Sequence, residues 1–193
     1  IAAKESFQAN DNKALIALAK KDPGKYSVGT YGIAEMFLAS FESASGTQFL
    51  AVPFQGGGPA IAAVLGGQVD MTFVPTVTAT QYLASGRVKL LGVGSAKRIA
   101  SLPSVPNFDE QGLAGFEIGN WLSVLAPRGL TPEVKAVLQK AIADVVQSPA
   151  FAERVGEMGL EAEYMSAEKI RDYLVSQDKR WATLVLEKNI PKR

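Results

Sequence analysis

Cysteine and histidine are both missing from the 193-residue chain. Their absence removes disulfides, thiol nucleophiles, imidazole bases and zinc sites of the Cys/His kind, and with them a large share of enzyme chemistry. A chain without cysteine is compatible with an oxidising compartment but does not identify one. A charge excess is missing as well. Lys and Arg number 20 against 19 Asp and Glu, and the resulting +1, with the basic residues scattered, gives no reason to expect nucleic acid as a partner. No apolar run approaches the length of a membrane span. The opening IAAKESFQAN does not read as a secretory signal, so any export signal is expected to have been removed or left out. No cofactor motif or metal-ligand grouping stands out, and neither a cofactor nor a metal is expected.

What is present is an apolar fraction of 47% beside 20% charged residues, enough for a substantial core in one domain or two small lobes. The most informative stretch is VPFQGGGPAIAAVLGGQVD, residues 52–70. It reads as strand, glycine turn, helix, glycine turn and strand start. Pro59 suits the first helical position, where a missing N–H costs nothing. Gly66 and Gly67 stop the helix. Gly56, Gly57 and Gly58 are expected to form a turn that draws on positive φ, lets a bound group approach the backbone and leaves N–H donors free for an anion. The alternative is a tight strand-to-helix turn and nothing more. It is not a P-loop, since no Lys-Ser/Thr pair follows the glycines.

Similar units flank it. Residues 1–4 look like the tail of a strand, and Asn10 or Asp11 can cap a helix that turns Leu15, Ile16, Leu18 and Ala19 inward. Strands are expected at 26–29, 49–54, 69–74 and 88–94. Helices follow the turns at 30–32, 56–59 and 75–77. This alternation predicts a doubly wound, mostly parallel α/β sheet. From 95 to 115 the chain lapses into a loop rich in Pro, Ser, Asn and Gly. Residues 116–126, FEIGNWLSVLA, read as one long strand. Three helical patterns close the chain, capped by Thr131, Ser148 and Ser166. The first ends near 147, the second near Gly159 and the third near Lys188, and their stripes of Val, Leu, Ile, Tyr and Trp need something apolar to cover.

The segments VPFQGGGPAIAAVLGGQVDMTF, YLASGRVKLLGVGSAKR, LPSVPNFDEQGLAGFEIGNWLSVLAPRGLTPEV and MSAEKIRDYLVSQDKRWATLVLEKNI, in that order, resemble the Bug-type extracytoplasmic solute receptors of tripartite tricarboxylate transporters. The resemblance implies a type II periplasmic-binding-protein fold, a bilobal receptor that takes a small carboxylate in its cleft and hands it to membrane transporter subunits. It also implies a periplasmic location and a binding protein rather than an enzyme. The chain resembles such receptors from their middle onward. Residues 5–119 are then expected to form a complete lobe two, and 120–193 the returning part of lobe one, with its crossing strand and amphipathic helices. The family's opening strands and first ligand loop are expected to have no counterpart, so a homodimer through the C-terminal third, or a complex with a missing N-terminal part, is expected. The turn after the strand at 26–29 is the clipped GTYGIAEMF, where the family's is longer and richer in Gly and Ser.

Carboxylate capture draws on N–H groups and hydroxyls at helix N-termini, which a parallel sheet gathers at the carboxyl ends of its strands. With the resemblance this nominates Thr30, Tyr31, Gly32, Gln55, Gly56, Gly57, Gly58 and Thr76 as ligand-binding residues. Asp70 falls at the opposite end of its strand and is read as a turn or capping residue. Trp121 is read as packing, and Lys97-Arg98 as a solvated pair. Two other readings stand beside the receptor: an anion-handling α/β enzyme working through Asp, Lys or Tyr, and a truncated sensor or oligomeric module built on the lobe-two fold.

Overall fold

The computed structural model describes residues 1–119, 121–158 and 160–187. The helix ends expected at Gly159 and Lys188, and Asn120 in the expected strand, lie outside them. Five strands form one sheet: β1 (Ala2–Lys4), β2 (Ser27–Thr30), β3 (Leu50–Pro53), β4 (Met71–Thr72) and β5 (Val88–Leu90). Their order is β3-β2-β4-β1-β5. β2 runs parallel to β3 and β4, while β1 runs antiparallel to β4 and β5. The sheet is therefore mixed, with β2 to β5 aligned and β1 reversed among them.

Helices α1 (Asn12–Lys21), α2 (Ile33–Ser45), α3 (Gly57–Leu65) and α4 (Thr76–Ala84) connect the strands. Asp11 caps α1 by accepting from the Ala14 amide at 2.7 Å. Leu15 and Ala19, four apart, are the apolar residues it buries, while Ile16 and Leu18 are only partly covered. Gly46 ends α2 in the left-handed conformation at φ 64°. α3 starts two residues earlier than expected, so Pro59 is its third residue and not its first. Proline is tolerated there because no N–H of the first turn has an intrahelical acceptor.

Both faces of the sheet are covered. On one, Ala3, Val28 and Met71 meet Leu15 of α1, Phe37 and Phe41 of α2, and Phe108 and Phe116 from the later loop. On the other, Ala2 and Val88 meet Ile61 and Val64 of α3. Adjacent Ala2 and Ala3 enter different cores, as the two-residue period of a strand requires. The strand expected at 88–94 stops at Leu90. Past it, Val93 makes a single parallel bridge to Asn107. The one at 69–74 shortens to Met71–Thr72, because Asp70 is drawn into side-chain bonds with β2 and Pro75 already leads into α4.

The C-terminal third departs most from expectation. Residues 116–126 do not form the expected crossing strand. Ile118 N bonds Gly94 O at 3.0 Å, but Leu122 and Leu125 are 87% and 82% exposed. The apolar residues favour a sheet, and among the described residues no strand pairs with the segment. α5 (Pro132–Val146), capped by Thr131, and α6 (Pro149–Glu157), capped by Ser148, bury no residue. α7 (Ala167–Glu187) behaves differently. It seats on α2, with the Trp181 ring 6.5 Å from that of Phe37, Leu184 buried and Arg180 donating to Ser40 Oγ and Glu117 O. The stripe expected to lack a cover thus finds part of one on α2. No helix among the described residues is long and apolar enough to cross a membrane.

Candidate functional site

Parallel register levels the carboxyl ends of three adjacent strands. Thr30 pairs with Pro53, and Gly29 with Thr72. The chain leaves each strand through a short turn into α2, α3 and α4, so the three turns nominated from the sequence share one edge of the sheet. Below them the packing is tight. The Thr72 hydroxyl donates to Gly29 O at 2.7 Å, and Phe54 N donates to Thr30 O at 2.8 Å. The Phe54 ring covers Gly29 so closely that an added Cβ would sit 3.3 Å from it.

Tyr31 joins the three turns. Its hydroxyl donates to the Phe73 carbonyl at 3.0 Å, and a Cβ built on Gly57 would lie 3.1 Å from both its Cζ and its Oη. The phenol therefore lies between the end of β4 and the first residue of α3. Burial pushes its pKa up, which keeps it protonated at neutral pH.

Gly32, Gly56 and Pro75 occupy the N-cap positions of α2, α3 and α4, and none of the three helices has a side-chain cap. First-turn amides of a helix have no intrahelical acceptor, and the helix dipole favours negative charge at them. α3 and α4 carry no acidic residue in the first turn, whereas α2 carries Glu35. Gly57 and Gly58 are the first residues of α3. Gly58 has open space where its Cβ would be. The expected reliance on positive φ at 56–58 does not hold: Gly56 is extended at φ 169°, and Gly57 and Gly58 are helical. The left-handed demand falls on Gly32, at φ 40°.

Of the eight nominated residues, Tyr31, Gly32, Gln55, Gly56, Gly57, Gly58 and Thr76 stand at this edge with at least part of their surface exposed. Thr30 ends β2 directly beneath them and is only 1% exposed. Thr72 and the Phe73 carbonyl were not nominated. A threonine inside the buried run MTF was the available signal for the first, while a main-chain carbonyl leaves none.

The other residues singled out have structural tasks. Asp70 binds Lys4 at 2.6 Å and Ser27 N at 2.8 Å, at the far end of β2. Arg98 pairs with Glu110 at 2.9 Å and donates to Pro103 O, which ties down the proline-rich loop. Trp121 is half-exposed and meets Tyr173 edge-on, with ring centroids 6.2 Å apart. Two shallow concavities lie elsewhere, one of about 380 Å³ against Pro23 and Thr47 and one of about 460 Å³ between α2 and α7. Neither is lined by residues of the three turns. Among the described residues no three carboxylates gather as a metal site would need.

The sequence profile described as tripartite tricarboxylate transporter family receptor matches residues 1–190. The chain belongs to this receptor family. A curated relative from Pseudomonas sp. (strain P51), a UPF0065 protein in the tcbD-tcbE intergenic region, is 32% identical over 92% of the chain and 54% of its own length. The chain thus spans about half the length of that relative. The periplasmic binding protein BugD is 31% identical, with a TM-score of 0.74 over all of this chain and 66% of its own. R. palustris Rpa4515, solved with adipate, shares the fold at a TM-score of 0.81 and 24% identity, over 95% of this chain and 62% of its own. The chain thus belongs to a solute-binding receptor family and shares its α/β fold with periplasmic binding proteins.

Proposed function

We propose that the chain captures a small carboxylate (a di- or tricarboxylate or an acidic amino acid) in the periplasm and delivers it to the membrane subunits of a tripartite tricarboxylate transporter. The observation that carries this reading is the meeting of three helix N-termini without side-chain caps on one sheet edge. Amides of Gly57 and Gly58 are the proposed carboxylate donors, flanked by Gln55, Gly56 and the Thr76 hydroxyl, with Tyr31 and Gly32 forming the adjoining wall and Thr30 supporting it from below. The adipate held by the R. palustris relative favours the same ligand class here.

Residues 5–119 are proposed as lobe two and 120–193 as the returning part of lobe one. The three core clusters support this division, since their buried members all precede residue 117. The exposed stripe of α5 is proposed to be covered by a second copy or by a separately supplied N-terminal part. Calorimetric titration with a panel of dicarboxylates tests the function. At least one is expected to bind, and Gly58→Val, whose Cβ would enter open space, is expected to lose tenfold or more in affinity. Unchanged affinity in the folded variant removes the site, and no binding by the wild-type chain removes the function.

A further inference from the structure

The phenol of Tyr31 has one proton, and its partner is the Phe73 carbonyl, which accepts and cannot donate. While that bond is kept, the hydroxyl offers a ligand its lone pairs. Among the described residues none donates to it. Its oxygen lies against Gly57, at the first residue of α3, where the Cβ position is 3.1 Å away. A carboxylate held by the first amides of α3 would have its neighbouring carbon within reach of this oxygen. A second carboxylate oxygen there would set lone pairs against lone pairs, and a plain methylene would leave a half-buried acceptor without its water. A hydroxyl on that carbon supplies the missing donor.

We infer that Tyr31 is a specificity-determining residue that selects carboxylates bearing a hydroxyl on the carbon next to the bound carboxylate, with that hydroxyl donating to Tyr31 Oη. The inference rests on the carboxylate-binding reading above and goes further by fixing the polarity of one ligand contact. An ammonium is the other donor of similar size. The positive ends of α2, α3 and α4 disfavour it relative to a neutral hydroxyl.

Malate and succinate differ only in that hydroxyl, and titration calorimetry of the 193-residue chain with each tests the assignment. Malate is expected to bind roughly 3- to 10-fold more tightly, the range of one net hydrogen bond. Tyr31→Phe keeps the ring on Gly57 and is expected to bring the two affinities within about twofold of each other, mostly by weakening malate. Aspartate is expected to bind the wild-type chain less tightly than malate. Succinate binding as tightly as malate, aspartate binding more tightly, or a folded Tyr31→Phe that keeps the malate preference each overturns the inference while leaving carboxylate binding intact. Failure of the wild-type chain to bind any dicarboxylate overturns both. The wild-type comparison decides by itself if the variant does not fold.

Discussion

The carboxylate of Asp70 takes three donors, Lys4 Nζ at 2.6 Å, Ser27 N at 2.8 Å and Ser27 Oγ at 3.0 Å, and so fastens β1, β2 and β4 at the end of the sheet remote from the glycine turns. Burial pushes its pKa up, but the bonds from Lys4 and Ser27 together outweigh burial and hold it below the ordinary value of 3.8. A carboxyl with a depressed folded pKa contributes stability that is complete above its unfolded pKa and is lost as pH falls through the folded value. Asp70→Asn is expected to cost roughly 1–3 kcal/mol near neutral pH. The variant should also lose less stability than the wild type between pH 5 and pH 2, which urea melts at the two pH values measure. An identical acid limb in both proteins would contradict the role. The glycines allow a second contrast. Gly57→Ala drives a Cβ to 3.1 Å from the Tyr31 hydroxyl and should lower the melting temperature, whereas Gly58→Ala enters open space in a helical position and should hold or raise it. Thermal melts that rank the two the other way would refute this packing. The structural role of Asp70 was legible in the sequence because it opens a strand whose carboxyl end carries the nominated site. The Tyr31–Phe73 bond was not legible, because its acceptor is main chain.

At the level of elements, the units from β2 to α4 follow the sequence pattern closely, since each strand is bounded by glycine or proline and each helix has an apolar stripe that meets the sheet. Reversed β1 escaped the pattern: three small and polar residues, AAK, carry no directional signal, and only pairing with β4 and β5 sets their sense. Residues 116–126 show the opposite failure. The apolar residues there name a strand, but pairing requires a neighbouring strand, and the described residues provide none. Leu122 and Leu125 are left exposed. α5 and α6 formed where caps and stripes placed them, yet Val137 is 69% exposed. Helices without tertiary packing have little beyond propensity and caps to hold them. Amides of residues 134–146 are therefore expected to exchange faster than those of 49–74, as read by hydrogen exchange with mass spectrometry. Slower exchange in 134–146 would mean that α5 is covered in solution.

For the whole molecule, Val134, Val137, Leu138 and Val145 on α5 are exposed, as are Leu122 and Leu125 before it, and covering each such large side chain is worth roughly 1.5–3 kcal/mol. Multi-angle light scattering at micromolar concentration is expected to show a dimer, or a monomer that becomes a 1:1 complex when an N-terminal polypeptide is supplied. A stable monomer indifferent to such a polypeptide would contradict the assembly. The central claim, however, is the location of the site, and amide chemical shifts report on it residue by residue. In ¹⁵N-labelled protein titrated with a dicarboxylate, the account predicts saturable shifts clustered at Tyr31, Gly32, Gly56, Gly57, Gly58 and Thr76, with the amides around Asp70 and in α5 unmoved. Saturable shifts confined to the α2–α7 groove around Lys179 and Arg180, or no shifts at all, would contradict it.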